Sequence, residues 1–185
     1  MKMLDLSVQP PAQTRPGVAL FPPVAARLSG QASMYNELSL IYAYVSLVHE
    51  NGEPLPDQLS GKVADAAHPM PGMSGSGRHA SNGHHVRDQA YFYFPDLVIH
   101  YPGLYRIRVT LMRMDYPYNS SNSGSIVEDY IESRSIVVDE GVSHYTRPSE
   151  LSPLESIYVL ICPGEKERAF LRMLRHDGQE VPSPS

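Results

Sequence analysis

Leu4, Leu6 and Val8 alternate with Asp5 and Ser7. A period of two predicts a short strand with one buried face. Pro10, Pro11 and Pro16 then hold the chain extended. Phe21-Pro22-Pro23-Val24-Ala25-Ala26-Arg27-Leu28 resumes as a strand led in by two prolines. Gly30 to Asn36 reads as a loop. Leu38 to Val48 is a continuous apolar run, and its length alone leaves helix and strand open. Its Ile, Tyr and Val content, with the turn signal Asn51-Gly52 behind it, favours a buried strand.

From Ala66 to Asp88 the composition collapses to His, Pro, Met, Gly and Ser, which predicts a long loop or insertion. Ala90 to Ile99 returns to strand, interrupted at Pro95-Asp96. The tightest alternation follows Gly103: Tyr105, Ile107, Val109 and Leu111 share one face, and Arg106, Arg108 and Thr110 share the other. That strand is expected to hairpin through Tyr101-Pro102-Gly103 to the one before it. Asp115 to Ser125 is a polar loop, Tyr130 to Val138 a further strand, and Ser156 to Cys162 a short apolar strand or edge segment. Glu165 to His176 reads as the one clear helix. Phe170, Met173 and Leu174 form its apolar stripe, acids fill its first turn, Arg175 and His176 its last, and Gly178 is placed to stop it. Six or seven strands with irregular loops and one late helix predict a mainly β protein, a β-sandwich. A single domain over 1–182 is expected, with a flexible insertion at 66–88 and a tail at 183–185.

Composition narrows the function classes. The 185 residues suit one domain. The net charge of −5 gives no global sign of a nucleic-acid binder, so a binding surface has to be a local patch. The basic residues are overwhelmingly Arg, the side chain suited to forked contacts with phosphates and base edges. Cys162 stands alone, so no internal disulfide forms. The N-terminus lacks the apolar stretch of a signal peptide, and no run approaches the length of a membrane span. A soluble intracellular protein without membrane contact is the expectation.

Little in the chain suggests catalysis. Gly75-Ser76-Gly77-Arg78-His79-Ala80 fits a dinucleotide-binding pattern but lacks the flanking strand and helix. His68, His79, His84 and His85 fall in or beside a Gly/Ser-rich loop, which offers no rigid ligand geometry; no metal site is expected. No G-x-S-x-G elbow, catalytic carboxylate pair or H-E-x-x-H occurs. Cys162 reads as a buried thiol. No enzyme activity, cofactor or small-molecule substrate is expected. Among the basic residues, Arg106 and Arg108 lie on a strand face suited to ion pairs. Arg168, Arg172 and Arg175 fall at i, i+4 and i+7 and line one side of the helix.

Several segments together resemble the fungal velvet family of developmental regulators. Leu4-Asp5-Leu6-Ser7-Val8-Gln9-Pro10 with Arg15 is similar to that family's opening strand and Gln-Pro turn, and Phe21 to Leu28 to its double-proline strand. Tyr44 to Val48, Leu59-Ser60-Gly61, Phe92-Tyr93-Phe94-Pro95-Asp96-Leu97 and Pro102 to Arg108 follow in the same order. Ser135 to Val138 and Phe170 to Pro182 resemble its closing strand and final helix. The resemblance implies a twisted, immunoglobulin-like or Rel-homology-like β-sandwich. It also implies homo- or heterodimers with other velvet proteins, nuclear action on promoter DNA, and control of development, sporulation and secondary metabolism. The DNA contacts it implies are Arg15, in the turn after the first strand, and Arg27. Arg172 and Arg175 on the helix are added to them. In the stretch Pro11-Ala12-Gln13-Thr14-Arg15 only one residue is basic, where the family carries several. Two other readings stay open: a velvet-fold subunit that binds regulators without touching DNA, and a cytosolic Ig-like binding module.

Overall fold

The structure is a computed structural model that describes residues 3–30, 37–71, 87–115, 124–141 and 163–182. Among these, thirteen strands precede one C-terminal helix, and the protein is mainly β. The first sheet contains β1 (Leu4–Val8), β3 (Val24–Gly30), β8 (His68–Pro69) and β9 (Arg87–Phe94), in the order β1-β3-β9-β8. The second is built on β4 (Ile41–His49) and β11 (Gly103–Asp115), which run antiparallel over nine register pairs from Tyr105↔His49 to Arg113↔Ile41. Around that pair lie β2 (Gln13–Thr14), β5 (Pro54–Leu55), β7 (Ala64–Ala66), β12 (Gly124–Glu132) and β13 (Ile136–Val138). A separate ribbon joins β6 (Leu59–Ser60) to β10 (Val98–Ile99).

The two large sheets share one core. Leu4, Leu6, Val24, Ala26, Leu28, Phe92 and Phe94 from the first meet Ile41, Ala43, Val45, Leu47, Ile107, Val109 and Leu111 from the second. This is the alternation predicted for β11, and for β1 at Leu4 and Leu6; a bulge between Leu6 and Val8 turns Val8 away from that core to the opposite face, so the single buried face expected for all three is corrected. The other side of the first sheet is also covered. Helix α1 (Glu165–His176) packs Phe170, Leu171 and Leu174 against Val8, Ala25, Tyr91 and Tyr93. A third layer thus lies over the sandwich, and β3 and β9 are buried on both faces.

Several expectations are corrected in detail. The run from Leu38 does not start as a strand: residues 37–40 make a 3₁₀ turn and β4 begins at Ile41. The segment from Ala66 to Asp88 is not loop at its ends. Ala66 closes β7, His68 and Pro69 pair with Tyr91 and Ala90, and β9 starts at Arg87. Composition missed these residues because a two-residue strand has no periodicity to detect. The hairpin expected through Tyr101-Pro102-Gly103 does not form: β10 pairs with β6, while Gly103 to Tyr105 pair with β13. The chain crosses there between the ribbon and the second sheet. The strand expected from Tyr130 to Val138 is two strands, broken at Ser133, whose hydroxyl accepts the Ile107 amide and donates to the Arg134 carbonyl. Residues 72–86, 142–162 and the tail at 183–185, with the His79, His84 and His85 cluster, the Gly75 pattern and Cys162, lie outside the described residues.

Gly61 explains how the β6–β10 ribbon fits. Its φ is +99°, and a Cβ there would collide with the Asp96 carbonyl; Asp96 also accepts the neighbouring Lys62 amide at 2.8 Å. Glycine alone combines a positive φ with so close a backbone approach.

Candidate nucleic-acid interface

Most of the described basic side chains fall into two groups. Arg27 pairs with Asp5 at 2.9 Å. Lys62 pairs with Asp65 at 2.7 Å. Arg106 and Arg108 share Glu132, at 3.5 and 2.6 Å. Arg113 lies between Glu128 at 2.8 Å and Glu37 at 3.5 Å. These pairs hold strands together, as the alternation of β11 led one to expect, and little of their charge is left for a ligand. Arg168, Arg172 and Arg175 form the second group. All three are exposed, and no acidic side chain among the described residues reaches them.

The helix that carries them is firmly held. Its N-terminal turn is capped by Glu167, whose carboxylate accepts the Gly164 amide at 2.7 Å and the Gln9 amide at 3.0 Å. Two backbone donors thus absorb the charge of Glu167, and Glu167 points away from its neighbour Arg168, since adjacent helical positions do not share a face. At the other end Gly178 takes φ +82° and the Gln179 amide returns to the Leu174 carbonyl at 3.0 Å, closing the last turn. The Tyr91 hydroxyl donates to Asp177 and receives Gln179 at 3.2 Å; the Tyr93 hydroxyl donates to the Glu180 carbonyl at 3.1 Å. Burial pushes the Tyr91 hydroxyl well above its ordinary value. Burial likewise raises Tyr93 to about 12, against the opposing pull of the Arg175 charge. Both therefore stay protonated donors at neutral pH. The apolar stripe faces the sheet, and the arginine stripe faces out.

The four expected contact residues occupy different places. Arg172 and Arg175 lie on the outer face of α1. Arg27 lies on the helix-covered face of β3, one same-face position beyond Ala25, opposite Asp5 on one side and Tyr91 on the other. Arg15 follows β2, the strand that runs parallel to β13 at the edge of the second sheet. Arg27, Arg172 and Arg175 thus belong to the helix-and-first-sheet side, and Arg15 belongs to the second sheet.

One basic residue escaped the sequence reading. Arg134, in the connection between β12 and β13, donates its amide to the Gln9 side chain at 3.2 Å and its Nε to the Pro10 carbonyl at 2.9 Å. Its side chain is exposed, and no described acid pairs with it. It therefore brings a cation to the turn whose own sequence holds only Arg15. The separation of 125 residues from Gln9 left no local signal.

Elsewhere the side-chain clusters are structural. Asp65 is buried and binds His68 Nε2 at 3.0 Å, Lys62, and the Tyr93 amide at 2.7 Å. His68 also stacks on Tyr91, with ring centroids 5.0 Å apart. Among the described residues no group of three His, Cys, Asp or Glu side chains is placed to hold a metal ion, and no helix is long and apolar enough to cross a membrane. The outer face of the second sheet carries exposed aromatic and apolar side chains beside the ion-paired Arg106, Arg108 and Glu132. Tyr44, Thr110 and Tyr130 form one cross-strand row; Tyr44 is 44% exposed, Tyr130 56% and nearby Val127 58%. The Arg108 guanidinium lies 5.1 Å from the Tyr130 ring centre.

Fold and site together define a helix-covered β-sandwich with a fixed, unpaired arginine face. No family model matches the chain, and no curated protein matches it. The likeness to velvet regulators rests on the residue segments quoted above.

Proposed function

We propose that this chain is a velvet-type nuclear transcriptional regulator of fungal development, sporulation and secondary metabolism, acting on promoter DNA as a homodimer or with another velvet protein. The observation that carries the reading is the arginine stripe of α1. A protein of net charge −5 sets three arginines on a rigid helix and leaves them without acidic partners among the described residues, while Arg27, Arg106, Arg108 and Arg113 are neutralised by carboxylates at 2.6–3.5 Å. Local positive potential of this kind attracts a polyanion whatever the net charge. Arg15 and Arg27, the contacts that the resemblance implies, lie apart from the stripe: Arg15 follows β2 at the edge of the second sheet, and Arg27 is paired with Asp5.

Chromatin immunoprecipitation of the tagged chain in fungal cells tests the proposal. Promoter fragments are enriched by the wild type and lost with Arg172→Ala/Arg175→Ala. Absence of enrichment for the wild type contradicts it.

A second reading has its own observation. The exposed row Tyr44–Thr110–Tyr130 with Val127 has the aromatic and apolar content of a protein-binding surface. On this reading the chain is an interaction subunit that binds other regulators without contacting DNA. Co-precipitation of velvet proteins without promoter fragments favours this reading over the first.

A further inference from the structure

Gln9 is the junction of two exposed basic elements. Its amide is held by Glu167, one residue before Arg168, and its side-chain oxygen holds the Arg134 amide. Arg134 is fixed a second time by its Nε bond to Pro10, leaving the outer end of its guanidinium without a protein partner among the described residues. From Arg168 the stripe continues through Arg172 to Arg175, about 10.5 Å along the helix at 1.5 Å per residue. Within that reach a duplex strand advances by about three phosphates, at about 3.4 Å of axis each.

We infer that Arg134, Arg168, Arg172 and Arg175 form one continuous track that grips the phosphate backbone of duplex DNA without reading its bases. The inference rests on the DNA-binding reading and deepens it by assigning the mode of contact. Arginine forks suit phosphate oxygens. The exposed face of α1 offers no Asn or Gln beside the arginines for reading adenine; Gln179 is engaged by Tyr91, and a fork of arginine onto guanine is separated from phosphate contact by comparing two sequences. The two acids that bracket the stripe are Glu165, in the first turn, and Asp177, which is held by Tyr91. A membrane is the poorer fit, because the apolar stripe that would enter it is already packed on the sheet. An acidic protein segment is a poorer fit as well, since no apolar anchor accompanies the arginines.

Fluorescence anisotropy with two labelled duplexes of unrelated sequence, each at 50 and 200 mM salt, tests the inference. Four phosphate contacts predict an affinity that falls about 150-fold over that salt range, and Arg134→Ala/Arg168→Ala reduces the fall to about 12-fold. Both duplexes behave alike. Arg113→Ala, which removes an ion-paired arginine, leaves the salt dependence unchanged, and circular dichroism confirms that the variants fold. Arg134→Lys, which keeps the charge, retains the wild-type dependence. If the double variant binds with the wild-type salt dependence while Arg15→Ala loses affinity, the track is wrong and DNA binding stands. A tenfold preference for one duplex that disappears in the double variant overturns the sequence-independent mode. Lack of binding to either duplex overturns the inference together with the function it rests on. Capture by anionic vesicles or polyglutamate in place of DNA reassigns the surface.

Discussion

Replacing Asp65 by Ala removes the side chain on which β7, β8 and β9 converge. Asp65 is 7% exposed and accepts from three donors: the Tyr93 amide at 2.7 Å, Lys62 at 2.7 Å and His68 at 3.0 Å. The losses are unequal. Lys62 is 37% exposed and turns to water, so its share is below about 1 kcal/mol. The Tyr93 amide is buried in the middle of the first sheet and is left without its acceptor, at about 1–3 kcal/mol. His68 loses its anchor and with it part of the stacking on Tyr91. A total of about 3 kcal/mol follows, or roughly 6–12 °C in Tm for a chain of this size. The cost depends on pH. Burial raises the Asp65 carboxyl, but hydrogen bonds from His68, Lys62 and the Tyr93 amide outweigh burial and hold it below its ordinary value. A carboxyl lowered in the folded state stabilises above the unfolded value of about 3.9, and that contribution fades as pH falls through the folded value. The gap in Tm between wild type and Asp65→Ala is therefore full at pH 7 and narrows below about pH 4. Thermal melts by circular dichroism from pH 3 to 7 measure it. A variant that melts within 1 °C of the wild type at pH 7, or a gap that widens on acidification, refutes the reasoning.

Ile107 is fully buried between the sheets; Ile107→Ala costs about 2–5 kcal/mol by chemical denaturation, and an unchanged midpoint contradicts the register of β11. Gly61→Ala forces a side chain into the Asp96 carbonyl at a positive φ, which lowers stability by more than about 1 kcal/mol; a neutral substitution shows that the β6–β10 ribbon relaxes freely. Tyr91→Phe removes the bonds to Asp177 and Gln179 and speeds amide exchange in the last turns of α1 before the sheet is affected; exchange equal to the wild type shows that apolar packing alone holds the helix.

What was legible in the sequence was whatever repeats along it. The alternation of Leu4 and Leu6, and of Tyr105 to Leu111, marked the faces that enter the core between the sheets, whereas the bulge that turns Val8 to the helix side left no trace in the period. The helix bounds Glu165–His176 followed from its stripe, its end charges and Gly178. Pairing was less legible, because register partners lie far apart in sequence: nothing local in Val98-Ile99 says that they bond Ser60 and Leu59 and not Gly103. The same limit applied to the site. Arg168, Arg172 and Arg175 announced themselves by helical spacing, but their freedom from ion pairs depended on where each acid folded. Arg134 carried no signal at all, since its meaning comes from Gln9 and Pro10 on a distant turn. Arg27, marked by its place in a recognised segment, proved to be paired with Asp5 across β1 and β3.

The most direct test of the account is to map where a duplex touches the protein. At 20.6 kDa the chain suits nitrogen-15 amide spectra recorded during titration with a short DNA duplex. The account predicts shifts at Arg168 to His176 on α1, at Arg134, and along the turn from Gln9 to Arg15, with Tyr44, Thr110 and Tyr130 on the outer face of the second sheet unchanged. Shifts confined to that outer face, or no shifts at low salt, contradict it.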